Sequence, residues 1–462
     1  MDLFTPKVPV EKQHPNFRAI TEPGMCEGEC AVLQSWADGF PDRDGKFVEQ
    51  FQTTFNSSFW ELYLNAAFRE LGFTPDFTYE SPDFILSGPY DLICEATVAE
   101  HPQGFVPEWE REISKEALKQ ADPSAIVELA SIRLANAIDA KQRKFLKSYG
   151  AMDHVRGKPF VIAVAPYEQP FFYFQSDQAI RRVLYGYDQP LWIEHPVTKE
   201  RVVVGESLVD QVRKHTGATI EMGLFARPGL EHVSAVIFSP VATFGKVRAL
   251  TPSGPYPVIF QAFRYAENEQ HKRVVVAQRP EYQERLLDGL HVLVNPFADH
   301  PIDLRPFDRP ELALHTLDPE SGEYMVASHD GFLFFRQTFS MVPREKPGEP
   351  MRFGHRGADN YMKYVPATLQ DGELVPVPGG VPPALENHLA QHRGWTLLIF
   401  LDGVDRDWGG MAVEALCTDL GAFTRFNGQD DVRSIFMPEF YPSKEQAYEA
   451  LRALIDDTLD DS

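Results

Sequence analysis

Four cysteines in 462 residues are too few for a disulfide framework, and they point to a reducing, cytoplasmic setting. Cys26 and Cys30 flank Glu27-Gly28-Glu29, but no second pair stands nearby to complete the four ligands of a structural zinc. Long apolar runs are missing too. The longest, around 160–165 and 397–401, fall far short of the ~20 residues that cross a bilayer. The first six residues show no basic segment leading into an apolar one, so no signal peptide is expected. There is no internal repeat and no glycine-rich dinucleotide fingerprint. Ser239–Lys246 ends in Gly-Lys without the spacing of a P-loop. Basic charge is scarce as well: 44 Lys and Arg stand against 67 Asp and Glu, a net charge of −23. That balance disfavours indiscriminate adhesion to polyanions, so any contact with nucleic acid needs a locally basic surface.

Core material is plentiful. Apolar residues make up 43% of the chain and 34 residues are Phe, enough for two or three domains. Residues 1–45, rich in Pro, Gly and acidic groups, read as an N-terminal arm with one short helix near Cys30–Trp36. From Phe47 the spacing of Phe51, Phe55, Phe59, Leu62 and Ala66, closed by Gly72, predicts one helix, or two separated near Asn56-Ser57-Ser58. Strand patterns follow at 73–79, 83–87 and 91–98, then a helix over 125–149 and strands at 159–165 and 171–174. A further helix is expected over 177–184. The order is helix, three strands, helix, strand. It predicts an α/β fold with an αβββαβ mixed-sheet core over 46–190 and further α/β material behind it. Strands are expected at 234–238, 257–263, 291–294 and 331–335, and weaker helices at 206–214 and 281–287. Eight prolines between 343 and 383 mark a linker or long loop. The last segment, 384–462, reads as a helix at 385–391, a strand at 396–401 and a helix at 411–416. Ser443–Gln446 forms a capping box that opens a terminal helix.

The chemistry centres on Ser81–Ala99. A three-residue loop, Gly88-Pro89-Tyr90, would join two strands with Ser87 opposite Asp91. Asp83 then faces Glu95, with Cβ atoms ~5 Å apart. Two carboxylates that close repel unless a cation or a shared proton lies between them, and all-oxygen ligation suits Mg²⁺. The plainer alternative makes Asp83 a strand-start residue and turns Glu95 outward. On the helix that follows, Lys141 interrupts an apolar stripe of Leu134, Ile138 and Phe145. Either it reaches the carboxylates or its ammonium snorkels to solvent. Glu61 shares a helical row with Leu64 and Phe68 and is placed to point toward Asp83 and Glu95, or to pair with Arg69. Between Arg133 and Lys158 seven basic residues stand against two acidic ones. Arg133, Arg143, Lys144 and Lys147 are the residues expected to touch a phosphate backbone. Asp402, Asp405 and Asp407 follow a strand end and read as an acidic turn. His291 and His300 flank Asn295–Asp299 without an evident nucleophile.

Pro82-Asp83 opening a hairpin, Glu95 in the next strand and the αβββαβ order together resemble the PD-(D/E)XK nuclease superfamily, over about 47–185. The resemblance implies a restriction-endonuclease-like fold. It also implies a Mg²⁺ site (Mn²⁺ as substitute) held by Asp83, Glu95 and Glu61. The lysine that the superfamily places two residues after the strand glutamate is Thr97 here. Some members move it onto the following helix, where Lys141 stands. By this resemblance the chain is expected to be a Mg²⁺-dependent endonuclease, cutting nucleic-acid phosphodiesters through a Mg-activated water, DNA before RNA. A degenerate relative that binds nucleic acid or protein without cutting is the first alternative, and Thr97 favours it. A hydrolase of another class with paired carboxylates, such as a glycosidase, is the second. Residues beyond 190 are left to substrate or partner selection, whether by homodimer contact or by a partner protein at the C-terminal region. No membrane partner is expected.

Overall fold

The computed structural model describes residues 1–456 apart from 43–44, 102–106, 109–122, 170–171, 173–174, 195–200, 215–216, 255–257, 266–272, 343–351, 357–362, 367–368, 371–372, 375–388, 393–394, 403–409, 418–433, 442–445, 447, 451 and 454–455. The chain divides into two units. The first comprises Met1–Thr251 with Glu284–Phe335, the second Pro252–Gln283 with Arg336–Ser462. Among the described residues no helix is long and apolar enough to cross a membrane.

The first unit begins with helices α1 (Pro15–Ile20), α2 (Glu27–Trp36), α3 (Phe47–Thr53) and α4 (Asn56–Glu70). The N-terminal arm is therefore more helical than its composition suggested. Leu3, Phe17, Ile20, Leu33 and Trp36 are all buried, and rings chain from Phe17 through Phe51 and Phe55 to Phe59 at centroid distances of 5.9, 5.2 and 5.7 Å. Aromatic burial of this kind outweighs the weak helical periodicity of the segment. The 47–72 pattern resolves into two helices. They part at Phe55, whose φ of 44° lies in the left-handed region that bulky residues avoid. Neither Ser57 nor Ser58 caps α4, which has no side-chain cap.

Next come β1 (Thr74–Asp76), β2 (Phe84–Ser87) and β3 (Leu92–Val98), then α5 (Pro123–Lys144), β4 (Phe160–Ala165) and α6 (Gln178–Tyr185). Two hairpins follow, β5 (Tyr187–Glu194) with β6 (Arg201–Leu208) and β7 (Gln211–Arg213) with β8 (Thr219–Glu221). The stretch 206–214, expected to be helical, instead holds the end of β6 and all of β7, because each finds a ladder partner in its hairpin. β9 (Ala235–Phe238) and α7 (Phe244–Leu250) close this stretch. β10 (Val258–Arg264) and β11 (Arg273–Gln278) belong to the second unit. The first resumes with β12 (Leu290–Val294), β13 (Leu312–Leu317) and β14 (Tyr324–Ser328). No helix forms over 281–287, where Lys246 of α7 donates to the Arg285 and Asp288 carbonyls and pairs with Glu284 at 2.5 Å.

One mixed sheet of eight strands organises this unit in the order β1-β2-β3-β4-β9-β12-β13-β14. β1, β2 and β3 run antiparallel, β3 is parallel to β4, and β4 to β9. β12 reverses direction against β9 and pairs in parallel with β13. Four strands beyond residue 190 therefore extend the sheet past the edge expected there. Side chains alternate between faces. The face bearing Ile93, Ile162, Val164, Val236, Phe238 and Leu293 packs against Leu134 and Ile138 of α5 and Ile180 and Val183 of α6. The opposite face meets α4. Phe68 meets Phe84 edge to face at 5.3 Å, and the Trp60 indole donates to the Ala163 carbonyl at 3.0 Å. Gly289 leads into β12 with φ 78°, and a Cβ there would overlap Val241 and crowd the Leu333 carbonyl oxygen at 2.9 Å.

β11, β10, β15 (Leu333–Val342, in the second unit from Arg336 on), β16 (Arg352–Arg356) and β17 (Lys363–Pro366) form a five-stranded sheet. An antiparallel four-stranded sheet joins Leu389–His392, Trp395–Asp402, Gly410–Cys417 and Ser434–Tyr441. Met411–Leu416 is therefore strand, not helix, since ladders on both sides outweigh the preference of its Ala, Glu and Leu. Leu389–His392 is strand as well, within the stretch read as helical. The 343–383 segment contains the strands β16 and β17, and its remaining length lies largely outside the described residues.

Candidate active site

The β2–β3 hairpin carries the first cluster. Its register pairs Phe84 with Cys94, Ile85 with Ile93 and Leu86 with Leu92, as the three-residue loop requires. Continued by one residue, it sets Asp83 opposite Glu95. Asp83 precedes β2, and its Oδ2 accepts the Ala96 backbone N–H at 2.8 Å. The Glu95 side chain is 0% exposed, and its Oε1 accepts from Lys141 Nζ at 3.0 Å and Lys144 Nζ at 2.5 Å. Glu95 Oε2 is buried with no hydrogen-bond partner. Both lysines come from the last turn of α5, three residues apart and hence on one side of the helix. Beyond Lys144 the helix widens into a π-helical turn, Phe145–Tyr149. Such turns recur at functional sites. Lys144 Nζ lies 5.6 Å from the centre of the Tyr149 ring.

Electrostatics bind these groups into one unit. Burial raises the Asp83 pKa, the charge of Glu95 adds to the rise, and Lys141 and the Ala96 N–H only partly offset it. Burial would raise Glu95 too, but the two ammonium groups outweigh it and hold the carboxyl below its usual value. Burial works against the Lys141 charge, yet Glu95, Asp83 and Glu61 together raise its pKa, so it stays cationic. Burial and then the Glu95 charge push the Tyr149 phenol up.

Asp83, Glu95 and Lys141 are thus adjacent, and Glu61 lies half-buried on α4, near enough for Lys141 to feel its charge. Lys144, expected on the surface, joins the site. The sequence signal for it was its i+3 spacing from Lys141. The other expected phosphate contacts are partly engaged elsewhere. Arg133 donates to the Glu100 and His101 carbonyls at 2.6 and 3.3 Å. Arg143 is 75% exposed and pairs with Asp139 at 2.8 Å. Lys147 is exposed. Lys246, in the Gly-Lys sequence, serves its own fold through the bonds described above.

A second cluster lies on the same face of the sheet. His291 of β12 and His315 of β13 point to one side because β12–β13 pairing sets His291 beside Ala313 and Leu293 beside His315. Their rings meet at His291 Nδ1 and His315 Nε2, 2.9 Å apart, and His315 Nδ1 lies 2.6 Å from the Tyr324 hydroxyl. Asp177, immediately before α6, completes a group whose three potential ligand atoms lie within 4.8 Å of one another. Asp177 Oδ2 is also 3.4 Å from Arg181 Nε. Both rings are buried and held neutral. Burial lowers the His291 pKa to about 4, and burial with the neighbouring His291 lowers that of His315 to about 3. Residue type alone hinted at this cluster, since each histidine interrupts an apolar strand. Its pairing follows only from the strand order. His300, the sequence neighbour considered for His291, is exposed, and Asp405 and Asp407 lie outside the described residues.

No protein-family model, no curated protein and no solved structure matches the chain.

Proposed function

We propose that the first unit is a metal-dependent nuclease of restriction-endonuclease-like architecture, hydrolysing nucleic-acid phosphodiesters at Asp83, Glu95 and Lys141. The observation that carries this reading is the meeting of two carboxylates of the β2–β3 hairpin, Asp83 just before β2 and Glu95 in β3, with a lysine ammonium from the next helix, 3.0 Å from Glu95. The element order supports it. A helix bearing Glu61 precedes three antiparallel strands, and a crossover helix bearing Lys141 leads to a strand parallel to the third. The donor set fits a hard divalent cation, since paired carboxylates supply oxygen ligands and Glu95 keeps a buried oxygen without a hydrogen-bond partner. Asp83 and Glu95 would hold that ion, Mg²⁺ or Mn²⁺, with Glu61 at its margin. A bound ion would supply positive charge against the phosphoryl oxygens and promote ionisation of water near neutral pH.

The protein's own groups do the rest. Lys141, kept cationic by the surrounding carboxylates, is placed to stabilise negative charge developing on the phosphate. Lys144 shares the load on Glu95 and is 44% exposed, so it is available to an incoming backbone phosphate. Tyr149 walls the cluster with its ring. The test is incubation of the full chain with single- and double-stranded DNA and with RNA, with and without Mg²⁺ or Mn²⁺. Metal-dependent cleavage that Glu95→Gln and Lys141→Ala both abolish is expected. A second reading rests on Lys141 and Lys144 both engaging Glu95 Oε1, an internal neutralisation that removes the need for a metal. Under it the protein binds nucleic acid without cutting, and binding unaccompanied by cleavage under every metal would replace the nuclease reading.

A further inference from the structure

We propose that Asp177, His291 and His315 form a binding site for a first-row transition-metal ion of the Zn²⁺ type, separate from the carboxylate–lysine cluster and independent of the nuclease reading. Two imidazole nitrogens and one carboxylate make a borderline-soft donor set, which Zn²⁺ and its neighbours take and Mg²⁺ does not. The strands fix two of the three ligands. His291 and His315 stand on adjacent parallel strands on one face, their facing nitrogens 2.9 Å apart, near the ~3.3 Å that two ligands of one tetrahedral zinc require. Asp177 comes from a different layer, the start of α6, with its ligand atom within 4.8 Å of the other two. A side-chain adjustment of up to about 1.5 Å brings it to the spacing of ligands on one ion.

One further observation separates this arrangement from an ordinary hydrogen-bonded core. Two neutral rings that meet nitrogen to nitrogen share one proton, and a cation bound at the facing nitrogens, His291 Nδ1 and His315 Nε2, would stand in that proton's place. The hydroxyl of Tyr324 holds the outer nitrogen of His315 at 2.6 Å. Metal-ligating histidines are oriented through their far nitrogen in this way.

The test uses the full-length chain, purified with a chelator, dialysed and titrated with Co²⁺ under visible absorption and with Zn²⁺ by calorimetry. One ion per chain with the intense d–d spectrum of a four- or five-coordinate site is expected in both the wild type and Asp83→Asn, any further Co²⁺ taken by the carboxylate cluster giving only a weak six-coordinate spectrum that Asp83→Asn diminishes. Asp177→Asn and His315→Gln are expected to weaken binding at least ~100-fold, and Tyr324→Phe roughly 10-fold. Circular dichroism and thermal melts verify that each variant is folded. Should His315→Gln fail to fold, Asp177→Asn, altered at a partly exposed position, decides alone. The proposal is overturned if the wild type takes up no ion or gives only the weak spectrum of a six-coordinate surface site. It is equally overturned if folded Asp177→Asn binds as the wild type does. Nuclease activity, present or absent, bears on neither outcome.

Discussion

The two polar clusters share one face of one sheet and solve the problem of burial in opposite ways. Around Glu95, charge is kept and balanced: two carboxylates face two ammonium groups brought in by α5. Around His291, charge is given up, and the rings stay neutral in the core. Between them run β4 and β9, with Ile162, Val164, Val236 and Phe238 toward the same helices. Three strand spacings separate β3 from β12, about 14 Å, all of it apolar. Among the described residues the sheet positions between them on this face are apolar, so the clusters are expected to titrate and mutate as separate units.

The largest test breaks the balance at the first cluster. Replacing Lys141 and Lys144 together by Met strands a buried Glu95 carboxylate, and the loss expected in urea unfolding at pH 7 is about 3–5 kcal/mol. Without its ammonium partners Glu95 is governed by burial, so it protonates more readily and the deficit shrinks as pH falls toward 5. A deficit independent of pH would show that packing, not charge, was lost. The second test addresses the histidines. Their folded pKa values lie below the ordinary 6.5, so the unfolded chain binds more protons and stability falls as pH drops from about 6.5 toward 4. For His291 the loss by pH 4 is of order 3 kcal/mol. The slope should flatten in His315→Gln, and an unchanged slope would remove these rings as its source.

A smaller effect separates Asp83 from Glu95. Asp83 is raised in the folded state, by burial and then by its neighbour, so its ionisation opposes folding as pH rises through the folded pKa. Asp83→Asn keeps an acceptor for the Ala96 N–H and is expected to raise Tm at pH 7 while giving no gain in acid below the ordinary Asp pKa. Glu95, lowered, contributes stability above the ordinary Glu pKa and loses it as pH falls through its folded value, so Glu95→Gln should lower Tm at pH 7. The smallest effect is at Arg143. Its pair with Asp139 is exposed, and Arg143→Ala should change stability by under ~0.5 kcal/mol. A larger change would mark the basic helix face as part of the folded core.

The first cluster was legible in the sequence because its determinants are local. A hairpin loop of fixed length sets Asp83 across from Glu95, and a helical period of 3.6 sets Lys141 on the buried stripe. Lys144 escaped because a neighbouring lysine on a helix end reads as solvated charge until the π-helical turn and the Tyr149 ring are placed. The histidine cluster is non-local. His291 and His315 meet only once β12 and β13 pair in parallel, and Asp177 joins through the packing of α6, 114 residues before His291. The strands within 206–214 and 411–416, both read as helical, have a different cause: each is hydrogen-bonded to a neighbouring strand, and that pairing overruled local preference.

One glycine carries more than its size suggests. Gly289 sits where Val241 and the Leu333 carbonyl leave no room for a methyl group, at a φ that L side chains rarely adopt. It ends two residues before His291, so it works as a fixed stop against which the strand is seated. A side chain there would displace β12 along or across its neighbours, and the imidazole would travel with the backbone. The geometry of the histidine pair thus depends on an empty position as much as on any group that fills one.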